Sequence, residues 1–179
     1  MLLNPFRFAA FSTLWNPLDK GASMALSLGN TKATGAAMSQ NWVRGGTPKS
    51  SGKWYAEFIT NGDTNNNDLS IGIGNAAADL STGMAASRPG SYAYMSPASI
   101  VYSNIGIGNT VQAARYSTEN MGVGMDFTSN TLNWYKNGVL VRNWAMTADT
   151  YFILFSAQNT KFATIQTAPL FLPSGYLAW

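Results

Sequence analysis

The sequence predicts an all-β chain, a β-sandwich with little or no helix. Three observations carry this. Apolar residues recur with a period of two in short runs, turn-forming dipeptides separate those runs, and no segment keeps the 3.6-residue spacing of an amphipathic helix. The chain has 179 residues, 46% of them hydrophobic, which suits one domain with a sizeable core.

Met1 to Leu14 reads as an apolar N-terminal arm, with Leu2, Leu3, Phe6, Phe8 and Phe11; the domain proper is placed at 15–179. Trp15 to Gly21 reads as a turn, because Pro17 fixes its own φ and pushes Asn16 toward extended backbone. Met24, Leu26 and Leu28 alternate with small residues as in a strand. Thr31 to Gln40 is small and polar and fits strand and loop equally, and Asn41 to Arg44 makes a short strand around Trp42. Ser51 to Thr60 is aromatic and bounded by glycine, a strand signal. Asn61 to Asp68 is a hairpin loop leading into Leu69–Gly74, where Leu69, Ile71 and Ile73 share a face. The glycines between them imply close backbone or aromatic approach on the other face. Ala76 to Ser99 is the least regular part. Tyr92 and Tyr94 lie in polar loop sequence there and are expected to be exposed.

The densest signal runs from Met121 to Val141. Met121, Val123, Met125 and Phe127 share one face, with Gly122, Gly124, Asp126 and Thr128 on the other, so a half-buried strand is expected. Leu132 and Trp134 resume the apolar face. Asn137-Gly138 is the dipeptide that most readily takes the positive φ angles of a type I′ hairpin turn. Met121–Thr128, Thr131–Lys136 and Val139–Trp144 should therefore be consecutive antiparallel strands. Tyr151 to Phe155 is a continuous apolar run, as in a central strand covered on both sides. Lys161 to Thr167 is the last clear strand, and Pro169 to Trp179 is a proline-bounded tail.

Charged residues are only 11% of the chain, well under the roughly 25% of an average domain, so the surface is largely Asn, Ser, Thr, Gly and Ala. Such a surface suits permanent packing against protein or contact with neutral ligands. The net charge is +3, but the cations are dispersed, which argues against a nucleic-acid partner. No apolar run reaches the ~18 residues of a membrane span. Cys and His are both absent, so disulfides, thiolate and imidazole chemistry, and the usual zinc ligands are excluded.

The motifs resemble those of a SPRY domain, in the form seen in bacteriophage structural proteins. Ser51-Gly52-Lys53-Trp54-Tyr55-Ala56-Glu57-Phe58 resembles the family's G-K-W-Y-x-E strand, and Ile71-Gly72-Ile73-Gly74 its I-G-I/W strand. Gly122 to Asp126 with Leu132 to Gly138 resembles its G-V-x-x-D … L-x-F/W-Y-K-N-G signature. Pro173-Ser174-Gly175-Tyr176 resembles the P-x-G-Y/F that follows the last strand of the phage versions. The resemblance implies two packed antiparallel sheets with a binding surface of loops at one end. It also implies a non-enzymatic protein that binds proteins, peptides or surface ligands.

Candidate chemistry is sparse. Glu57 and Asp126 are the carboxylates within strands that a glycoside hydrolase would need, but each also fits a purely structural role. Asp63 to Asp68 has the oxygen-rich pattern of a calcium loop, yet position 74, where the bidentate Glu belongs, is Gly. No catalytic residue, cofactor or metal is expected. Trp42, Tyr92, Tyr94, Trp144 and Trp179 offer a stacking platform or a core. The leading expectation is a phage virion structural protein that contacts other virion proteins and copies of itself through Leu2, Leu3, Phe6, Phe8, Phe11, Tyr92 and Tyr94. The alternative is a receptor- or glycan-binding adhesin module of a tail fibre.

Overall fold

The structure, a computed structural model, describes residues 13–37, 40–61, 69–81, 90–96, 100–103 and 120–179. Among them the chain forms two packed sheets and no helix. The six-stranded sheet has the order β1 (Trp15–Lys20), β4 (Asn41–Gly45), β12 (Phe152–Ala157), β6 (Leu69–Gly74), β7 (Ser91–Ser96), β8 (Ile100–Ser103). The second sheet has the order β11 (Val139–Ala145), β10 (Thr131–Lys136), β9 (Asn120–Asp126), β5 (Lys53–Thr60), β13 (Phe162–Ile165), β3 (Lys32–Thr34), β2 (Ala25–Ser27). A short strand, β14 (Leu177–Ala178), lies parallel to β5, while every other pairing is antiparallel.

Alternation places the core. Phe58, Met121, Val123, Met125, Leu132 and Trp134 point inward from one sheet, and Val43, Ile71, Ile73, Ile153 and Phe155 from the other. Trp15 stacks on Phe58 at 5.7 Å between ring centres. The indole N–H of Trp134 donates to the Ile71 carbonyl at 3.0 Å, which ties the sheets together through a buried polar contact. β12 is covered on both sides, as its unbroken apolar run predicts. Ile153 and Phe155 join the main core, while Leu154 packs with Trp42, Ala93 and Leu80 on the outer face.

The meander forms as expected, with β9, β10 and β11 consecutive and antiparallel. Asn137 and Gly138 both have positive φ, 47° and 77°, as a type I′ turn requires. Three expectations are corrected. Trp15 to Lys20 is an edge strand rather than a turn, and the register shift between its ends leaves Asn16-Pro17-Leu18 bulging outward. The strand at β2 is shorter than the alternation implied. Leu28 has left it, with φ 53° and its side chain exposed. β9 is not half-buried: Gly122 lies under the Tyr55 ring and Gly124 under the rings of Tyr135 and Tyr176, so both faces are covered. The proline-bounded tail after Pro169 ends in the short strand β14.

Candidate binding surfaces

The tail is held by one carboxylate. β13 runs antiparallel along β5 as far as Phe58, and Gln166 N–H donates to the Glu57 carbonyl. The chain then leaves β13 and crosses the outer face of the sheet. Glu57 is fully buried there and accepts four hydrogen bonds: from Leu170 N (3.1 Å), Phe171 N (2.9 Å), Asn120 Nδ2 (3.2 Å) and Tyr55 OH (3.2 Å). Further along, Asn133 donates to the Tyr176 hydroxyl at 2.9 Å, and Asn143 donates to Asn133. The segment re-enters beside Trp54 and Tyr55, where Trp179 N–H donates to the Tyr55 carbonyl. Residues 167–176 thus form a strap over β5, β9 and β10. Burial, and then the neighbouring Glu57 charge, push the Tyr55 hydroxyl well above its ordinary range, so it remains a donor.

Asp126 does a similar job at the other end of β9. It accepts from the amides of Thr128 and Ser129 and pairs with Lys53 at 2.8 Å. Burial raises its pKa, but the Lys53 contact and the two amides outweigh that and hold it at about 2. In register, Asp126 faces Lys53 while Gly122 faces Glu57, so the two carboxylates sit four residues apart along β5. At the rise of a strand that is about 13 Å, beyond the ~5–9.5 Å that glycoside hydrolysis by a carboxylate pair requires.

Tyr92 and Tyr94 are corrected outright. Both are fully buried, because they pair with Ile73 and Ile71 and share their inward face. Tyr94 packs on Trp134. Tyr92 joins Thr147 and Tyr151 in a hydroxyl network that pins the loop before β12. Small and polar neighbours such as Ser91 and Ala93 masked a plain strand alternation. Trp42 and Trp179 are likewise core, and Trp144 is half-buried against it, so these aromatics form no open platform. Leu2, Leu3, Phe6, Phe8 and Phe11, and the Asp63–Asp68 loop, lie outside the described residues. Among the described residues no group of three His, Cys, Asp or Glu side chains could hold a metal, and no helix is long and apolar enough to cross a membrane.

Two open clefts flank the β1 bulge, and neither was legible in sequence. One, of about 420 Å³, is lined by Leu18, Asp19, Lys20, Arg44, Asp79 and Leu80 among others. Its Arg44 is held by Asp19 at 2.8–2.9 Å and donates to the Asn75 carbonyl, so the guanidinium fastens the bulge to β4. The other, of about 390 Å³, lies between Leu14, Trp15, Pro17, Asn30 and Thr47.

No family model and no curated protein matches the sequence. The architecture does have counterparts among solved structures. The SPRY domain of human HERC1 superposes with a TM-score of 0.72 at 13% identity, over 84% of this chain and 96% of that one. The fold is that of a SPRY domain. The TRIM65 PSpry domain agrees, with a TM-score of 0.68 at 13% identity over 87% of this chain and 92% of that one. Stonustoxin matches with a TM-score of 0.68 at 15% identity, over 87% of this chain and 27% of its own length. In this SPRY sandwich the signature strands β5 and β9 carry the carboxylates that fasten the strap and the β9–β10 turn.

Proposed function

We propose that the protein is a non-enzymatic virion structural protein of a bacteriophage. Its SPRY-like sandwich would be docked on, or displayed from, the particle as a capsid decoration, head fibre or tail component. The observation that carries this reading is the concentration of large apolar side chains in the sequence ahead of the sandwich. The described core is built from Trp15 to Trp179. Thr13, on the arm side, is tied down by its amide to the Trp179 carbonyl and by its hydroxyl to the Thr47 amide. Residues 1–12 precede this anchor in the sequence and bring Leu2, Leu3, Phe6, Phe8 and Phe11 with them. Full burial of such side chains is worth roughly 1.5–3 kcal/mol each, a strong incentive to dock. The phage-type motif Pro173 to Tyr176 supports the reading, since it lies in the strap and places Tyr176 on Asn133. Mass spectrometry of purified virions tests it: peptides of this chain at a stoichiometric level are expected, and their absence from intact particles contradicts it.

The second reading, a receptor- or glycan-binding adhesin of a tail fibre, is supported by the open cleft beside Asp19 and Arg44. Glycan arrays decide it, and silence across host polysaccharides ends it.

A further inference from the structure

The strap lies on the sandwich without joining its core. None of residues 167–178 is buried, and none belongs to either buried cluster. Pro169, Phe171, Pro173 and Tyr176 are half-buried, while Leu170 and Leu172 between them are 72% and 44% exposed. The ends are fixed two residues apart on β5, by Gln166 N–H on the Glu57 carbonyl and Trp179 N–H on the Tyr55 carbonyl. Between those ends the strap is held at three points. The successive amides of Leu170 and Phe171 lie on the two carboxylate oxygens of Glu57. The Phe171 ring fills the space left at Gly138, where a Cβ would stand 2.9 Å from it. The Tyr176 ring fills the space over Gly124, where a Cβ would stand 3.0 Å from it, and its hydroxyl accepts from Asn133.

The face beneath keeps its shape without the strap. Glu57 is also held by Asn120 Nδ2 and the Tyr55 hydroxyl, and the Tyr55 ring packs edge-on to Tyr135 at 5.5 Å. Strand pairing on both sides of β9 fixes Gly122 and Gly124. Lifting the strap therefore leaves an oriented carboxylate with two acceptor positions open and a ring-sized hollow at each of two glycines. Binding domains hold peptides in this way, with main-chain bonds supplying affinity and hollows for particular side chains supplying specificity. We propose that this outer face of β5, β9 and β10 is a peptide-binding site, and that the strap is its resident, self-inhibiting ligand. The partner it fits is a flexible protein segment with the strap's own pattern. That pattern is two successive backbone N–H groups, the second on an aromatic residue, and a tyrosine five residues further on. The strap is the element that gives way, because opening it leaves the core closed and Leu170 and Leu172 already face water.

Hydrogen exchange and fluorescence anisotropy test this. In the full chain the Leu170 and Phe171 amides should exchange at least about a hundredfold faster than those of β9, through local opening. The binding probe is a fluorescein-labelled peptide of residues 167–176. Phe171→Ala in the chain weakens the resident ligand but leaves Glu57 and both glycines in place. Tyr176→Phe in the chain loosens the strap at its other anchor. Each variant should remain folded and bind the peptide at least about tenfold more tightly than the full chain does. A peptide carrying Phe171→Ala and Tyr176→Ala should bind none of the three proteins. Strap amides as protected as those of β9 overturn the proposal, as does a peptide that neither variant binds. Equal binding by the full chain and the variants, or binding indifferent to the two aromatic substitutions, also overturns it. Variants that unfold would make the strap part of the fold rather than a ligand on it, with the same consequence.

Discussion

At the scale of single residues, Glu57 has the largest structural role for the least sequence signal. It is one carboxylate in an aromatic strand, and the amides it holds are more than a hundred residues away. Glu57→Gln should destabilise the fold by about 1–3 kcal/mol, because the new amide N–H₂ must face donors on at least one side. Urea denaturation reads this, and an unchanged midpoint would mean that the strap is not fastened there. Trp134→Ala should cost roughly 3–5 kcal/mol, since it empties the centre of the core and strips the Ile71 carbonyl of its donor; a thermal melt that hardly moves would contradict its place there. Asp126 gives a pH prediction. Its pKa is depressed in the folded state to about 2 from an ordinary 3.8, so its contribution is fully present above the ordinary value. That contribution is lost as pH falls toward 2. Asp126→Asn should therefore flatten the acid limb of the stability curve between about pH 4 and 2. Parallel limbs in the two proteins would show that Asp126 is not the group responsible.

At the scale of elements, local patterns were legible and long-range ones were not. The meander could be read because alternation and an Asn-Gly turn are written in neighbouring residues, and β12 because a strand covered on both faces needs an unbroken apolar run. Tyr92 and Tyr94 misled, because Ser91 and Ala93 made an inward-facing strand look like loop. Trp15–Lys20 misled, because Asn16-Pro17 marks a bulge within a strand as readily as a turn. The glycines of β9 were read only as the open face of a half-buried strand, because nothing local identified Tyr55, Tyr135 and Tyr176 as what covers them. The strap was unreadable for the same reason: its contacts are to Glu57, Asn133 and Tyr55, none of them near in sequence. The hairpin turn offers a test at this scale. Gly138→Ala introduces a Cβ at φ 77°, against the Phe171 ring. It should lower stability by more than ~1 kcal/mol and loosen the strap together with the turn. Hydrogen exchange at the Leu170 and Phe171 amides reads the second effect; unchanged protection there would separate the strap from the hairpin.

At the scale of the whole molecule, the SPRY sandwich joins its two ends. Trp179 is buried, its indole N–H donates to the Thr47 carbonyl at 2.7 Å, and its own carbonyl accepts from Thr13. Thr13 thus lies beside the end of the strap. The sequence placed the arm's boundary after Leu14. Thr13 and Leu14 already belong to the sandwich's hydrogen bonding, with the Leu14 carbonyl accepting from Gly46, so a clean truncation stops before them. The proposed virion role requires a sandwich that folds without residues 1–11 and an arm that makes the assembly contact. The most direct measurement removes residues 1–11 and compares the melting temperature and particle co-sedimentation of the truncated and full chains. An unchanged melting temperature and loss of co-sedimentation are expected. A truncated chain that unfolds, or one that sediments with particles as the full chain does, would contradict it.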